Sequence, residues 1–185
     1  MADNFTDKAY QQAVVLLGRE PRTPFTIKTT CANGSPQTLE ADPVFFEDNL
    51  WKPFPSFIWL VCPRLKALAA NLEQQGFVRF YSQKLETDKD FREIFLKGQR
   101  EIADYRLKKA EDKFKGQLPE HIVDILKNTT IAGSRNISGV KCLHAHLAHY
   151  LAFGNNPIGE DVFKKIGPCT VEDKCGEEAK GELDD

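Results

Sequence analysis

Apolar and polar positions alternate first near residue 25. Phe25, Ile27 and Thr29 take every second place against Thr26, Lys28 and Thr30, the period of a half-buried strand. Asn33-Gly34 follows, where both residues tolerate positive φ, and the chain returns through Gln37 to Glu40. This pattern predicts a tight hairpin with Cys31 close to its tip. Upstream, Tyr10, Val14 and Leu17 fall on one helical face, with Thr6 as N-cap and Gly18 as terminator. Ser56 to Val61 is a nearly continuous apolar run and reads as a buried strand. The stretch between, Pro43 to Pro55, carries Phe45, Phe46, Trp51 and Phe54 among prolines. It reads as a loop, either a packed cover over the core or the wall of a ligand pocket, with cover favoured because aromatics bury large apolar areas. A sheet of about three strands is too small to make a core alone.

Helical spacing dominates the remainder. Pro63 suits a first helical position after Cys62, and Leu65, Leu68, Ala69 and Leu72 carry an apolar stripe to Gly76. Phe77 to Tyr81 reads as a short extended connection. Thr87 with Asp90 resembles a capping start for a long helix through Phe91, Ile94, Phe95, Ile102 and Tyr105, ending near Lys115 or Gly116. Its mixed charges read as a solvated face with intrahelical pairs. Pro119 opens another helix through Ile122, Ile125 and Leu126, and Ser138 to Gly154 reads as a further capped helix. Asn156-Pro157-Ile158-Gly159 reads as a turn. The expected fold is α+β: a small antiparallel sheet packed against a majority of helices. Residues 1–170 are expected to form one domain, and the acidic 171–185 a disordered tail.

Composition narrows the possible functions. The 185 residues carry 25 Lys+Arg against 27 Asp+Glu, a net charge of −2, which argues against a dedicated nucleic-acid binder. No apolar run approaches the ~20 residues that span a bilayer. The polar start lacks the order of a secretory signal, so a cytoplasmic protein with reduced thiols is expected. Five cysteines are an odd number, which argues against a fully paired disulfide framework.

Chemistry concentrates in Lys141-Cys142-Leu143-His144-Ala145-His146-Leu147-Ala148-His149. At helical spacing, Cys142, His146, His149 and Phe153 share one stripe, while His144 points elsewhere. A cysteinate with imidazoles suits a transition metal, but one helix cannot complete a tetrahedron. Cys31, Cys62, Cys169 and Cys175 are available to complete it, although the wide Cys169–Cys175 spacing is a weak metal signal. Cys62, between strand and helix and followed by Arg64 and Lys66, is placed for a thiolate. Upstream of the histidines, Ala132-Gly133-Ser134-Arg135-Asn136 reads as a turn or as an anion cradle, with Arg135 and Lys141 as the clamp. No nucleotide-binding glycine pattern occurs.

The chain also resembles an uncharacterised bacterial family, domain of unknown function five hundred and one. The resemblance rests on Leu17-Gly18-Arg19 with Pro21, Cys31, Pro53-Phe54-Pro55, Cys62-Pro63, Leu72-Glu73 with Gly76, Lys141-Cys142-Leu143-His144, Ala148-His149, and Asn156-Pro157 with Gly159. It implies a cytoplasmic bacterial protein and brings no established activity. His144 belongs to its pattern and His146 does not, which favours Cys142 with His149 as the firmer pair.

Three readings follow. The leading one gathers Cys31, Cys62 and Cys142, with His149 or Cys169, around zinc, or around an iron–sulfur cluster if cysteines dominate. The second is an enzyme for an anionic or phosphorylated small molecule, with Cys62 as nucleophile or His144 as acid–base and Arg135 and Lys141 holding the anion. The third is a protein-interaction module using the long charged helix or the Trp51–Phe54 region.

Overall fold

Residues 8–136 and 138–173 are described by the structure, a computed structural model. Thr6, Cys175 and the expected tail from residue 174 onward lie outside the described residues, while Val171 to Asp173 form a turn. Helix α1 (Lys8–Leu17) buries Tyr10, Ala13 and Leu16 and stops at Gly18, whose φ of 72° only glycine adopts easily. Strands β1 (Phe25–Thr30) and β2 (Pro36–Ala41) pair antiparallel, with Ile27 opposite Leu39. Of the Asn33-Gly34 pair, only Gly34 takes positive φ.

The aromatic stretch is a hairpin, not a loop. β3 (Val44–Glu47) and β4 (Leu50–Pro53) pair across Asp48 and Asn49, both left-handed at φ 52° and 60°. Aspartate and asparagine tolerate that conformation, and a two-residue turn with both φ positive matches the strand twist. Trp51 packs edge-on against Phe114. β5 (Ile58–Leu60) joins the far side of β2, giving a three-stranded sheet in the order β1-β2-β5.

The elements that follow are all helices. α2 (Pro63–Gln74) starts at the expected proline. Gly76, left-handed at φ 87°, turns the chain directly into α3 (Phe77–Thr87). The Phe77–Tyr81 segment is therefore helical, not extended: Tyr81 and Leu85 are one turn apart and both buried. α4 (Lys89–Phe114) is capped by Asp88, which accepts the Phe91 amide at 3.0 Å, not by Thr87. It is followed by α5 (Glu120–Lys127), α6 (Leu143–Phe153) and α7 (Pro157–Ile166). α7 replaces the expected turn because Asn156 caps it, accepting the Gly159 amide at 2.9 Å.

α4 runs through the whole core. Phe91 and Phe95 enter the apolar cluster of α2, α3, α6 and α7; Ile102 enters that of α1 and the sheet; Leu107 and Ala110 pack with Val44 and α5. Its charges do more than solvate a face. Lys109 reaches the buried Glu40 at 2.6 Å, and Tyr105 and Lys28 bond the same carboxylate at 2.8 Å. The fold is α+β, with a minor sheet clamped to a helical majority.

Candidate functional site

Cys62 leaves β5 and occupies the N-cap position of α2, only 1% exposed. Its sulfur lies 3.7 Å from that of Cys169, itself 6% exposed, across 107 residues of sequence. Three local devices bring them together. Arg64, in the first turn of α2, donates to the carbonyls of Gly167 (3.2 Å) and Ile166 (3.4 Å), the last turn of α7. It also pairs with Asp173 at 3.0 Å. From the β1–β2 turn, the Asn33 amide donates to the carbonyls of Thr170 at 3.0 Å and Asp173 at 2.5 Å. Asp173 in turn accepts the Thr170 amide, and that bond, with Arg64, holds its carboxyl below the usual range. The segment carrying Cys169 is thus pinned from both sides.

Gln37, buried on β2, directs its amide at the Cys169 sulfur at 3.7 Å, within reach of a sulfur acceptor. Cys31 packs against the same apolar cluster from the hairpin. Cys142 stands elsewhere, as the N-cap of α6, and burial pushes its thiol pKa up. The neutral thiol is therefore its ordinary form.

The histidine helix differs from its expected role. It starts at Leu143, not Ser138. His146 and His149 do share a side, as the spacing requires, but they meet an asparagine rather than a thiol. Asn156 Nδ2 donates to His146 Nδ1 at 3.1 Å and to His149 Nδ1 at 3.2 Å. Both rings are buried and neutral, and burial depresses their pKa values to about 3 and about 4. His149 Nε2 is buried with no hydrogen-bond partner among the described residues. Among the described residues, no three His, Cys, Asp or Glu side chains are grouped to hold a metal ion. Of Cys31, Cys62, Cys142, His149 and Cys169, the structure brings only Cys62 and Cys169 into contact through their sulfurs.

The expected anion cradle also resolves differently. Ala132 to Asn136 lies in a turn closed by Thr130 and Ser134, whose backbone bond is 2.8 Å. Lys141 is taken by the Ala132 carbonyl at 3.3 Å, and Arg135 is exposed. The α6 amide at Leu143 already has an anion from within the chain, the Glu73 carboxylate at 2.5 Å. Glu73 also meets His144 Nδ1 at 3.0 Å, while His144 Nε2 meets the Lys66 carbonyl at 3.0 Å. Both partners are acceptors, so the two bonds form together only when both ring nitrogens carry protons. His144 thereby ties α2 to α6, with neither nitrogen left over.

Sequence reasoning missed Arg106. Its guanidinium is fully buried and donates to the carbonyls of Pro55, Leu126, Thr129 and Thr130. The signal was present: Arg106 interrupts the apolar stripe of Ile102, Ala103, Leu107 and Ala110.

These features define an α+β protein whose β hairpin, α2 and post-α7 segment close over a buried thiol pair. It belongs to the family described as Protein of unknown function (DUF501), matched over residues 27–164. No curated protein and no solved structure matches the chain. No helix among the described residues is long and apolar enough to cross a membrane.

Proposed function

We propose that this protein binds a thiophilic metal ion, zinc by preference, through Cys62 and Cys169, with Cys31, packed against the same cluster, as a further donor. The observation that carries this reading is the 3.7 Å separation of two buried sulfurs. Two Zn–S bonds of about 2.3 Å at a tetrahedral angle hold their sulfurs about 3.8 Å apart. A disulfide holds them at about 2.0 Å. The Gln37 amide faces Cys169, and Cys62 sits at the amino end of α2. Cys31 packs against the same buried cluster, on the hairpin that Asn33 anchors to Thr170. Cys142, held as a neutral thiol, and His149, bonded to Asn156, do not belong to the centre. The role is structural, joining sheet, α2 and the chain after α7 in a reducing compartment.

Elemental analysis tests this on full-length protein purified anaerobically without an affinity tag. Near-stoichiometric zinc is expected, and it should be lost in C62S and in C169S. A brown chromophore with bound iron would replace zinc by an iron–sulfur centre. Metal-free protein whose melting temperature is indifferent to chelator would overturn the reading.

A further inference from the structure

A second site lies away from the thiols, where α4 passes the end of α5. A cleft of about 320 Å³ opens there, lined by Leu96, Gln99, Arg100, Asp104, Lys127 and Thr129 among others. A shallower depression continues it along α4 and shares Leu96 and Arg100. The end of a helix normally presents carbonyls and repels anions. Here Arg106, behind the cleft, takes the carbonyls of Leu126, Thr129 and Thr130. It is buried and has no carboxylate partner among the described residues, so its charge is compensated only by dipoles. On the open side, Arg100 and Lys127 are exposed and outnumber the one acid of the lining, Asp104. Gln99 forms the inner wall at 6% exposure, and the Ile131 amide fixes its carboxamide oxygen at 3.2 Å. That bond orients the side chain of Gln99, which lines the cleft.

We propose that this cleft binds a small organic oxyanion, a carboxylate or phosphate monoester with an apolar body. Arg100 and Lys127 hold the charged group, Gln99 donates from the inner wall, and Leu96 packs on the apolar part. The volume suits a ligand of ring size, and the buried guanidinium behind it supplies a long-lived positive field that solvent screens weakly.

The test titrates full-length protein with phenyl phosphate, benzoate and the neutral control benzyl alcohol, read by calorimetry and by the Gln99 side-chain amide resonances. Saturable binding of either anion is expected with a Kd below about 1 mM, shifting the Gln99 signals. R100A and K127A should each weaken it by about tenfold while leaving the melting temperature in place. The relative affinities of the two anions identify the preferred headgroup. Failure of both anions to bind, equal binding of benzyl alcohol, or binding unaffected by R100A and K127A overturns the proposal. The metal content of Cys62 and Cys169 is unaffected by any of these outcomes.

Discussion

Arg64 Nε lies 3.0 Å from Asp173 Oδ1, so a side chain in the first turn of α2 holds the segment that carries Cys169. About a quarter of each side chain is exposed, and such a surface pair adds little to stability. Its consequence is positional. R64A is expected to lower the melting temperature slightly and to raise the alkylation rate of Cys169 clearly, with Cys142 unchanged. Mass spectrometry of protein labelled for timed intervals checks this. Equal protection of Cys169 in R64A and wild type would show that Arg64 does not pin the segment.

His146 and His149 make stability depend on acid. Their folded pKa values, about 3 and about 4, lie below the ordinary 6.5 of a free imidazole. The unfolded chain therefore takes up protons as pH falls through 6.5, while the folded protein resists doing so. Stability from these rings is complete above pH 6.5 and is lost progressively as pH drops toward 4 and then 3. Denaturant unfolding at pH 7.5 and 5 should give a markedly lower midpoint at the acidic value. H149F, which fills the same space without a titrating group, should flatten that dependence.

Two glycines mark where backbones touch. A methyl group on Gly98 would overlap the Asn155 carbonyl oxygen, and one on Gly159 would overlap the His146 carbonyl oxygen. Neither obstacle is a flexible side-chain end. G98A and G159A are expected to destabilise the fold by about 2 kcal/mol or more. G76A acts differently, because nothing lies within 4 Å and only its φ of 87° is at stake; about 1 kcal/mol is expected there. Thermal melts of the three variants separate close approach from backbone conformation.

Local chemistry was readable wherever one element decided it. The Phe25–Glu40 hairpin, Pro63 at the start of α2 and Gly154 at the end of α6 each follow from neighbours in sequence. The β3–β4 hairpin was hidden because Asp48-Asn49 is a weaker turn signal than Asn-Gly, and prolines suggested a loop. α3 was lost because Gly76 both ends one helix and begins the next. The site was half legible. Cys62 and Cys169 could be named as thiols, but their contact depends on Arg64 and Asn33 reaching more than 100 residues along the chain. His146 and His149 were correctly placed on one helical stripe. Their partner, Asn156, was invisible in that stripe because it caps the next helix.

Arg106 gives the largest expected loss from a single substitution. Its side chain satisfies carbonyls of Pro55, Leu126, Thr129 and Thr130 inside the protein. Burial lowers its pKa to about 10, far enough above neutrality to keep the charge. Removing the guanidinium leaves those oxygens dry and unpaired, and each such group costs about 1–3 kcal/mol. R106M matches the length of the side chain but offers no donor. It is expected to cost about 3 kcal/mol or more and to free the 129–134 turn. R106K restores one charge without the planar fork, so it can serve only some of the four carbonyls. Its stability should fall between R106M and wild type. Hydrogen exchange locates the damage: protection should fall at Thr130 and Ile131, which anchor that turn, and persist at Leu39 in the sheet. A uniform loss across both regions would mean that the buried cation supports the whole core rather than one turn.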